Sequence, residues 1–162
     1  MLAFSDLMVR VGTRELLSHV SGEVVPGRVR ALVAPNGSGK TTLMRALIAA
    51  DDIRRSGEIA ADSVPLEDAA AYRKLVFYVP GDASILYPLL TVRENLDIVK
   101  RCWGSPVDIL RLAERCRIDS FLGKRVRFLS LGMRQQVALA VGYLTGARYL
   151  LLDEPMNALD PT

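Results

Sequence analysis

The spacing of apolar positions changes along the chain. Up to about residue 33 they form short runs, Leu7–Val11, Leu16–Val25 and Val29–Val33, broken by Gly12, Gly22 and Pro26-Gly27. Runs of this length between turn residues predict strands. Beyond Lys40 the spacing becomes helical, with Leu43, Leu47 and Ala50 on one face of a helix over roughly 40–50. Ser56-Gly57-Glu58-Ile59 opens another short strand, and Leu75–Val79, just ahead of Pro80, reads as a core strand. From about Gly81 to Thr145 the pattern is mostly helical. Thr91-Val92-Arg93-Glu94 is a capping-box start, with Leu96 and Val99 on one face. Ser105-Pro106-Val107-Asp108 predicts a second helix start with Pro106 in the first helical position and Ile109, Leu112 and Cys116 aligned. Ser130 is a good N-cap for a third helix, striped by Val137, Ala140, Val141 and Leu144. Ser84–Leu90 is an apolar loop containing Pro88 and has no period. There is no internal repeat and no low-complexity linker.

Three stretches carry chemistry. Ala34-Pro35-Asn36-Gly37-Ser38-Gly39-Lys40-Thr41-Thr42 follows the apolar run Val29–Val33. A strand, a glycine-rich turn and Lys-Thr at the start of a helix form the pattern of a phosphate-binding loop. Gly37 and Gly39 let the backbone curl and aim N–H groups inward, and the helix directs its positive dipole end at the same point. Lys40 supplies a point charge, and the Thr41 hydroxyl is placed to ligate Mg²⁺. The usual pattern begins with glycine, where this chain has Ala34. Alanine strains the loop if that position needs a positive φ, and is harmless if it does not.

The second stretch, Arg148-Tyr149-Leu150-Leu151-Leu152-Asp153-Glu154-Pro155, is an apolar strand ending in two carboxylates. Such charges need a partner, because burying them alone is costly. A Mg²⁺ over a phosphate loop suits Asp153, and Glu154 can orient or deprotonate an attacking water. The third stretch, Leu129-Ser130-Leu131-Gly132-Met133-Arg134-Gln135-Gln136, lies between the other two. Ser130 and Gly132 leave backbone N–H groups accessible at a helix N-terminus, which makes a second anion site.

Together these stretches resemble the ATP-binding subunits of ABC transporters. The resemblance rests on the loop Ala34–Thr42, a variant signature at Ser130-Leu131-Gly132-Met133, the Leu-Leu-Leu-Asp-Glu-Pro of 150–155 and Asn157-Ala158-Leu159-Asp160-Pro161-Thr162 as the D-loop. It runs over essentially the whole chain in the expected order. It implies an α/β P-loop NTPase fold with a RecA-like core, an antiparallel β subdomain and a helical subdomain. Residues of about 1–80 and 146–162 form the core and β subdomain, and about 81–145 the helical one. It also implies a domain incomplete at its C-terminus, since the chain stops just after the D-loop. ATP and Mg²⁺ are the implied ligands. Asn36, Gly37, Ser38, Gly39, Lys40, Thr41 and Thr42 contact nucleotide, with Thr41 and Asp153 on the metal and Glu154 as the catalytic residue. Ser130 and Gly132 meet the γ-phosphate bound by a second ATPase subunit in a head-to-tail homo- or heterodimer, and a transmembrane permease subunit docks through the 82–103 region. The Ser-Leu-Gly-Met form is similar to that of bacterial drug and bacteriocin exporters.

Beyond Ala34 and the variant signature, three more features depart from the family pattern. Tyr78-Val79-Pro80 normally precedes a glutamine, where Gly81 and then Asp82 stand. The aromatic expected to stack on adenine is replaced by Val11-Gly12, so adenine rests on an aliphatic side chain. The only histidine, His19, lies far upstream in a strand-like run and not in a switch position. These departures keep a second reading open, a nucleotide-binding module with weak or no hydrolysis, and beside it stands a third, a non-transport ABC ATPase of the kind that works on nucleic acid.

Composition narrows the remaining choices. The 162 residues are 50% hydrophobic, enough for about one domain with its own core. A net charge of +3 makes no case for nucleic acid, and no sustained heptads separate the phosphate loop from the signature, so no nucleic-acid partner is expected. Cys102 and Cys116 lack metal spacing and read as reduced thiols of a cytoplasmic protein. No apolar run approaches membrane-spanning length, so the expected membrane association is peripheral and made through a partner.

Overall fold

Leu2, Leu7 and Val9 are fully buried, and the strand that carries them organises the N-terminal half. A computed structural model describes residues 1–155. The chain divides into two units, Met1–Tyr78 and the part from Val79 onward. The D-loop positions Asn157–Thr162 lie outside the described residues.

In the first unit, β1 (Leu2–Val11) and β2 (Arg14–Val24) form an antiparallel hairpin closed by Gly12 and Thr13, with Gly12 at φ 60°. On its other edge β1 pairs antiparallel with β3 (Arg54–Ala61), which pairs with the short β4 (Val64–Pro65). The sheet order is β2-β1-β3-β4. Left-handed residues sit where the ladders shift register: Asp6 at φ 50°, His19 at 52° and Gly57 at 101°. Only glycine fits at 57, because a Cβ there would stand 2.5 Å from the Asp6 carbonyl oxygen. His19 is the strand residue its sequence context implies. It is exposed, and its Nδ1 lies 2.5 Å from the Asp6 carboxylate, which raises its pKa.

The first helix, α1, runs over Lys40–Leu47 and buries Leu43, Ala46 and Leu47 on one face. It lies against β1 and β3. It stops short of Ala50 because Ala49 turns to φ 55° and Ile53 closes a further turn on the Ala50 carbonyl. A short α2 (Ala69–Tyr72) is capped by the Asp68 carboxylate, and Tyr72 donates its hydroxyl to the Leu47 carbonyl at 2.8 Å.

The expected strand Val29–Val33 is not formed. This stretch has no regular structure, and Val29 and Val33 are 98% and 90% exposed. The physical reason is that a strand is completed by its neighbours. Neither sheet includes this run among the described residues, so no ladder fixes its backbone.

β5 (Val76–Val79) and β6 (Tyr149–Leu152) make the second sheet. In the second unit α3 (Val92–Trp103) starts at the expected capping box. Thr91 Oγ accepts from Glu94 N–H and the Glu94 carboxylate accepts from Thr91 N–H, which holds Glu94 below the usual carboxylate range. Gly104, at φ 59°, ends it. The next helix, α4, spans Ile109–Arg115 and begins later than Pro106 predicts. Lys100 Nζ holds the Val107 carbonyl at 2.8 Å outside the helix, and the Asp108 carboxylate caps Arg111 N–H at 3.0 Å. An aspartate N-cap with a free carboxylate outcompetes Pro106 as the start signal.

α5 (Leu131–Thr145) is capped by Ser130 and ended by Gly146 at φ 66°. Val137, Ala140, Val141 and Leu144 are buried as their spacing predicts. Glycine at 142 leaves room for the strands, because a Cβ there would come within 3.0 Å of Val79 Cγ2 and 3.8 Å of Leu150. No described helix is long and apolar enough to cross a membrane.

Candidate functional site

The phosphate-loop residues all lie in the first unit. Ser38 N–H closes a turn on the Pro35 carbonyl, and Gly37 and Gly39 take φ 78° and 94°. Space around Gly37 is open, so its glycine serves conformation alone. At Gly39 a Cβ would also press to 3.1 Å of Leu17 on β2. Ala34 is not among the left-handed residues, so alanine causes no strain there. Gly39 is the N-cap of α1 and offers no side chain, so the N–H groups of the first turn, Lys40 to Thr42, have no side-chain cap. Lys40 Nζ donates to the carbonyls of Ala34 and Pro35 at 2.8 and 3.0 Å, which holds the ammonium over its own loop. Asn36 and Ser38 complete the rim, and both are exposed. Bare helix N–H groups, a left-handed glycine pair and a pinned ammonium together form an anion cradle. Val11, at the end of β1, is partly exposed.

Asp153, Glu154, Ser130 and Gly132 lie in the second unit. Asp153 is buried just past β6, and its N–H donates to the Val79 carbonyl at 3.0 Å. Glu154 is exposed at φ 46°. Ser130 Oγ accepts from Met133 N–H at 3.2 Å, which leaves its own hydroxyl proton for an acceptor ahead of the helix. Gly132 occupies the first turn of α5. Asp82, next to the glycine that stands in the glutamine position, is committed elsewhere. Its carboxylate takes the Ser84 hydroxyl and N–H, the latter at 2.9 Å, and these hold it below the usual aspartate range.

The donor chemistry suits Mg²⁺. No cluster of three or more His, Cys, Asp or Glu occurs among the described residues. A hydroxyl such as Thr41 and a single carboxylate such as Asp153 are hard oxygen donors, and Mg²⁺ takes few of these beside water and phosphate.

Gln135 is a feature that sequence reasoning missed. It is 1% exposed on α5, and neither amide atom has a hydrogen-bond partner. Its position on the buried side of α5, one turn beyond Ser130, was the available signal. An unpartnered buried amide costs stability that an apolar side chain of similar shape recovers. Gln135→Met is expected to raise the melting temperature by about 3 °C, for a gain of about 1 kcal/mol. A lower melting temperature in thermal denaturation would show that the amide is satisfied.

The ABC transporter family profile matches residues 17–157, and the chain belongs to this family. It is 34% identical over 165 residues to Nod factor export ATP-binding protein I of Rhizobium etli, covering 98% of this chain and 51% of that protein. It is also 34% identical over 165 residues to the sn-glycerol-3-phosphate import ATP-binding protein UgpC of a Ruegeria species, covering 98% of this chain and 46% of the relative. The chain thus spans about half the length of these curated relatives. A solved ATP-binding subunit of an ABC transporter superposes with a TM-score of 0.88 at 27% identity, over 99% of this chain and 69% of that one. Exporter and importer subunits both stand among the relatives.

Proposed function

We propose that this chain is the ATP-binding and ATP-hydrolysing motor subunit of an ABC-type membrane transporter, working in export. The observation that carries the reading is the anion cradle at Gly37–Thr42, with Lys40 pinned above an uncapped helix start. In this reading the N–H groups of 37–42, with Asn36 and Ser38, and the Lys40 ammonium hold the nucleotide phosphates. Thr41 and Asp153 hold Mg²⁺, which when bound neutralises charge on the β- and γ-phosphates. Glu154 orients the attacking water and takes its proton. Ser130 and Gly132 of a second copy, turned head-to-tail, close over the γ-phosphate. Leu131 and Phe128, 49% and 69% exposed on either side of Ser130, give that closing face an apolar border.

The export direction rests on the Ser-Leu-Gly-Met form of the signature. Docking to a transmembrane subunit is supported by the exposed Tyr87 and Leu89, and by a cleft of about 300 Å³ lined by Arg93, Asp97, Lys100, Arg101 and Ile109. One observation favours a second reading, a module that binds nucleotide and turns it over weakly: position 81 has no side chain, and Asp82 is occupied by Ser84. Phosphate release as a function of chain concentration separates them. The rate per chain is expected to rise with concentration, because each site is completed by a second copy. A flat, near-background rate while ATP still binds would establish the second reading.

A further inference from the structure

We infer that Gly81 is a positioning residue that fixes the Asp153–Glu154 backbone by direct contact, in place of a side chain that reaches the substrate. The inference rests on the reading of Asp153 and Glu154 as the metal- and water-handling carboxylates. On one side the Asp153 peptide is held by its N–H bond to the Val79 carbonyl at 3.0 Å. On the other side the turn after β5 packs against it at Gly81. A Cβ built at 81 would stand 2.9 Å from the Asp153 carbonyl oxygen, 3.6 Å from the carbonyl carbon and 3.5 Å from Glu154 Cβ.

The first of these separations is closer than atoms pack, and the obstructing atom is backbone and not the end of a flexible side chain, so a Cβ is accommodated only by a backbone shift. Gly81 is not among the residues at positive φ, so the position demands room and not conformational freedom. Glu154 adds a second constraint. It sits at φ 46°, a left-handed conformation that a glutamate keeps only where its surroundings hold it. Val79, Gly81 and the left-handed Glu154 therefore act as one clamp on two consecutive carboxylates. Any side chain at 81 pushes the Asp153 carbonyl and changes where both carboxylates point. A glutamine at this position brings the same Cβ, so it does not restore a missing function.

The test compares ATP affinity in Mg²⁺ with that in EDTA, by calorimetry, for the wild-type chain, Gly81→Ala and Gly81→Gln. Cooperative melting establishes that each is folded. Affinity in EDTA is expected to stay within about twofold of wild type, while the gain conferred by Mg²⁺ falls about tenfold in both variants, as when a support for a metal ligand is lost. Glutamine is expected to do no better than alanine. A general loss of structure would lower both affinities together. An unchanged Mg²⁺ gain in the variants overturns the inference and leaves the proposed function standing. No Mg²⁺ gain in the wild type sinks both.

Amide hydrogen exchange on the wild-type chain needs no variant. Protection at Gly81 and Asp153 is expected to rise together when Mg-ATP is added. A rise at Asp153 alone overturns the clamp even if Gly81→Ala fails to fold.

Discussion

Lys40→Ala is expected to weaken Mg-ATP binding about 100-fold or more, equivalent to about 3 kcal/mol of charge-assisted hydrogen bonding to phosphate. Its ammonium already lies over the loop, donating to the Ala34 and Pro35 carbonyls at 2.8 and 3.0 Å. The side chain is thus pre-placed, and little ordering accompanies its engagement with phosphate. The substitution removes the loop's point charge while leaving the Gly37 and Gly39 turns and the α1 N-terminus in place. Equilibrium dialysis with labelled ATP reads the loss. Lys40→Arg is expected to recover only part of it, because a planar guanidinium does not fit where a compact ammonium sits. Binding within a few-fold of wild type in Lys40→Ala would mean that the cradle is not the nucleotide site.

Glu154→Gln is expected to lower steady-state ATP turnover by about 1,000-fold, within the range that a positioned general base supplies. Binding is expected to survive, because the amide keeps the shape and the hydrogen-bonding oxygen but cannot accept the proton of the attacking water. Glu154 is exposed and held at φ 46°, so the substitution disturbs no buried packing. The variant is then expected to stay in an ATP-loaded, closed state. Sedimentation is expected to show an Mg-ATP-dependent pair of chains that persists in Glu154→Gln and is transient in the wild type. Turnover within about tenfold of wild type would move the general base elsewhere.

How much of this was legible in the sequence depended on the range of the interactions involved. The cap residues were readable because a cap is settled within four residues: Thr91 with Glu94, and Ser130 with Met133, fall where the sequence puts them. The buried stripe Val137, Ala140, Val141 and Leu144 was readable for the same reason. The start of α4 lies three residues beyond the expected one, because Lys100, from the preceding helix, holds the Val107 carbonyl out of helical geometry. Val29–Val33 reads as a strand by composition, yet strand formation is decided by neighbours that a local pattern does not contain.

At the proposed site, the left-handed turns at Gly37 and Gly39 fall at the glycines that the spacing marks, and Ala34 is not left-handed, so alanine adds no strain there. The role of Gly81 was hidden, since it depends on the Asp153 carbonyl far along the chain. A sequence shows a missing glutamine at that point, whereas the structure shows that a Cβ there would stand 2.9 Å from the Asp153 carbonyl oxygen. The commitment of Asp82 to Ser84 was equally hidden, because the order of residues does not show which donor a carboxylate takes.

The central claim is that residues 34–42 of this chain bind a nucleotide through its phosphates. Calorimetric titration of the folded wild-type chain with Mg-ATP tests it most directly. Saturable binding at one nucleotide per chain is expected, competed by ADP and by inorganic triphosphate but not by adenosine, because the phosphates supply the contacts. A cooperatively melting chain that takes up no Mg-ATP, or that binds adenosine as tightly as ATP, would contradict it.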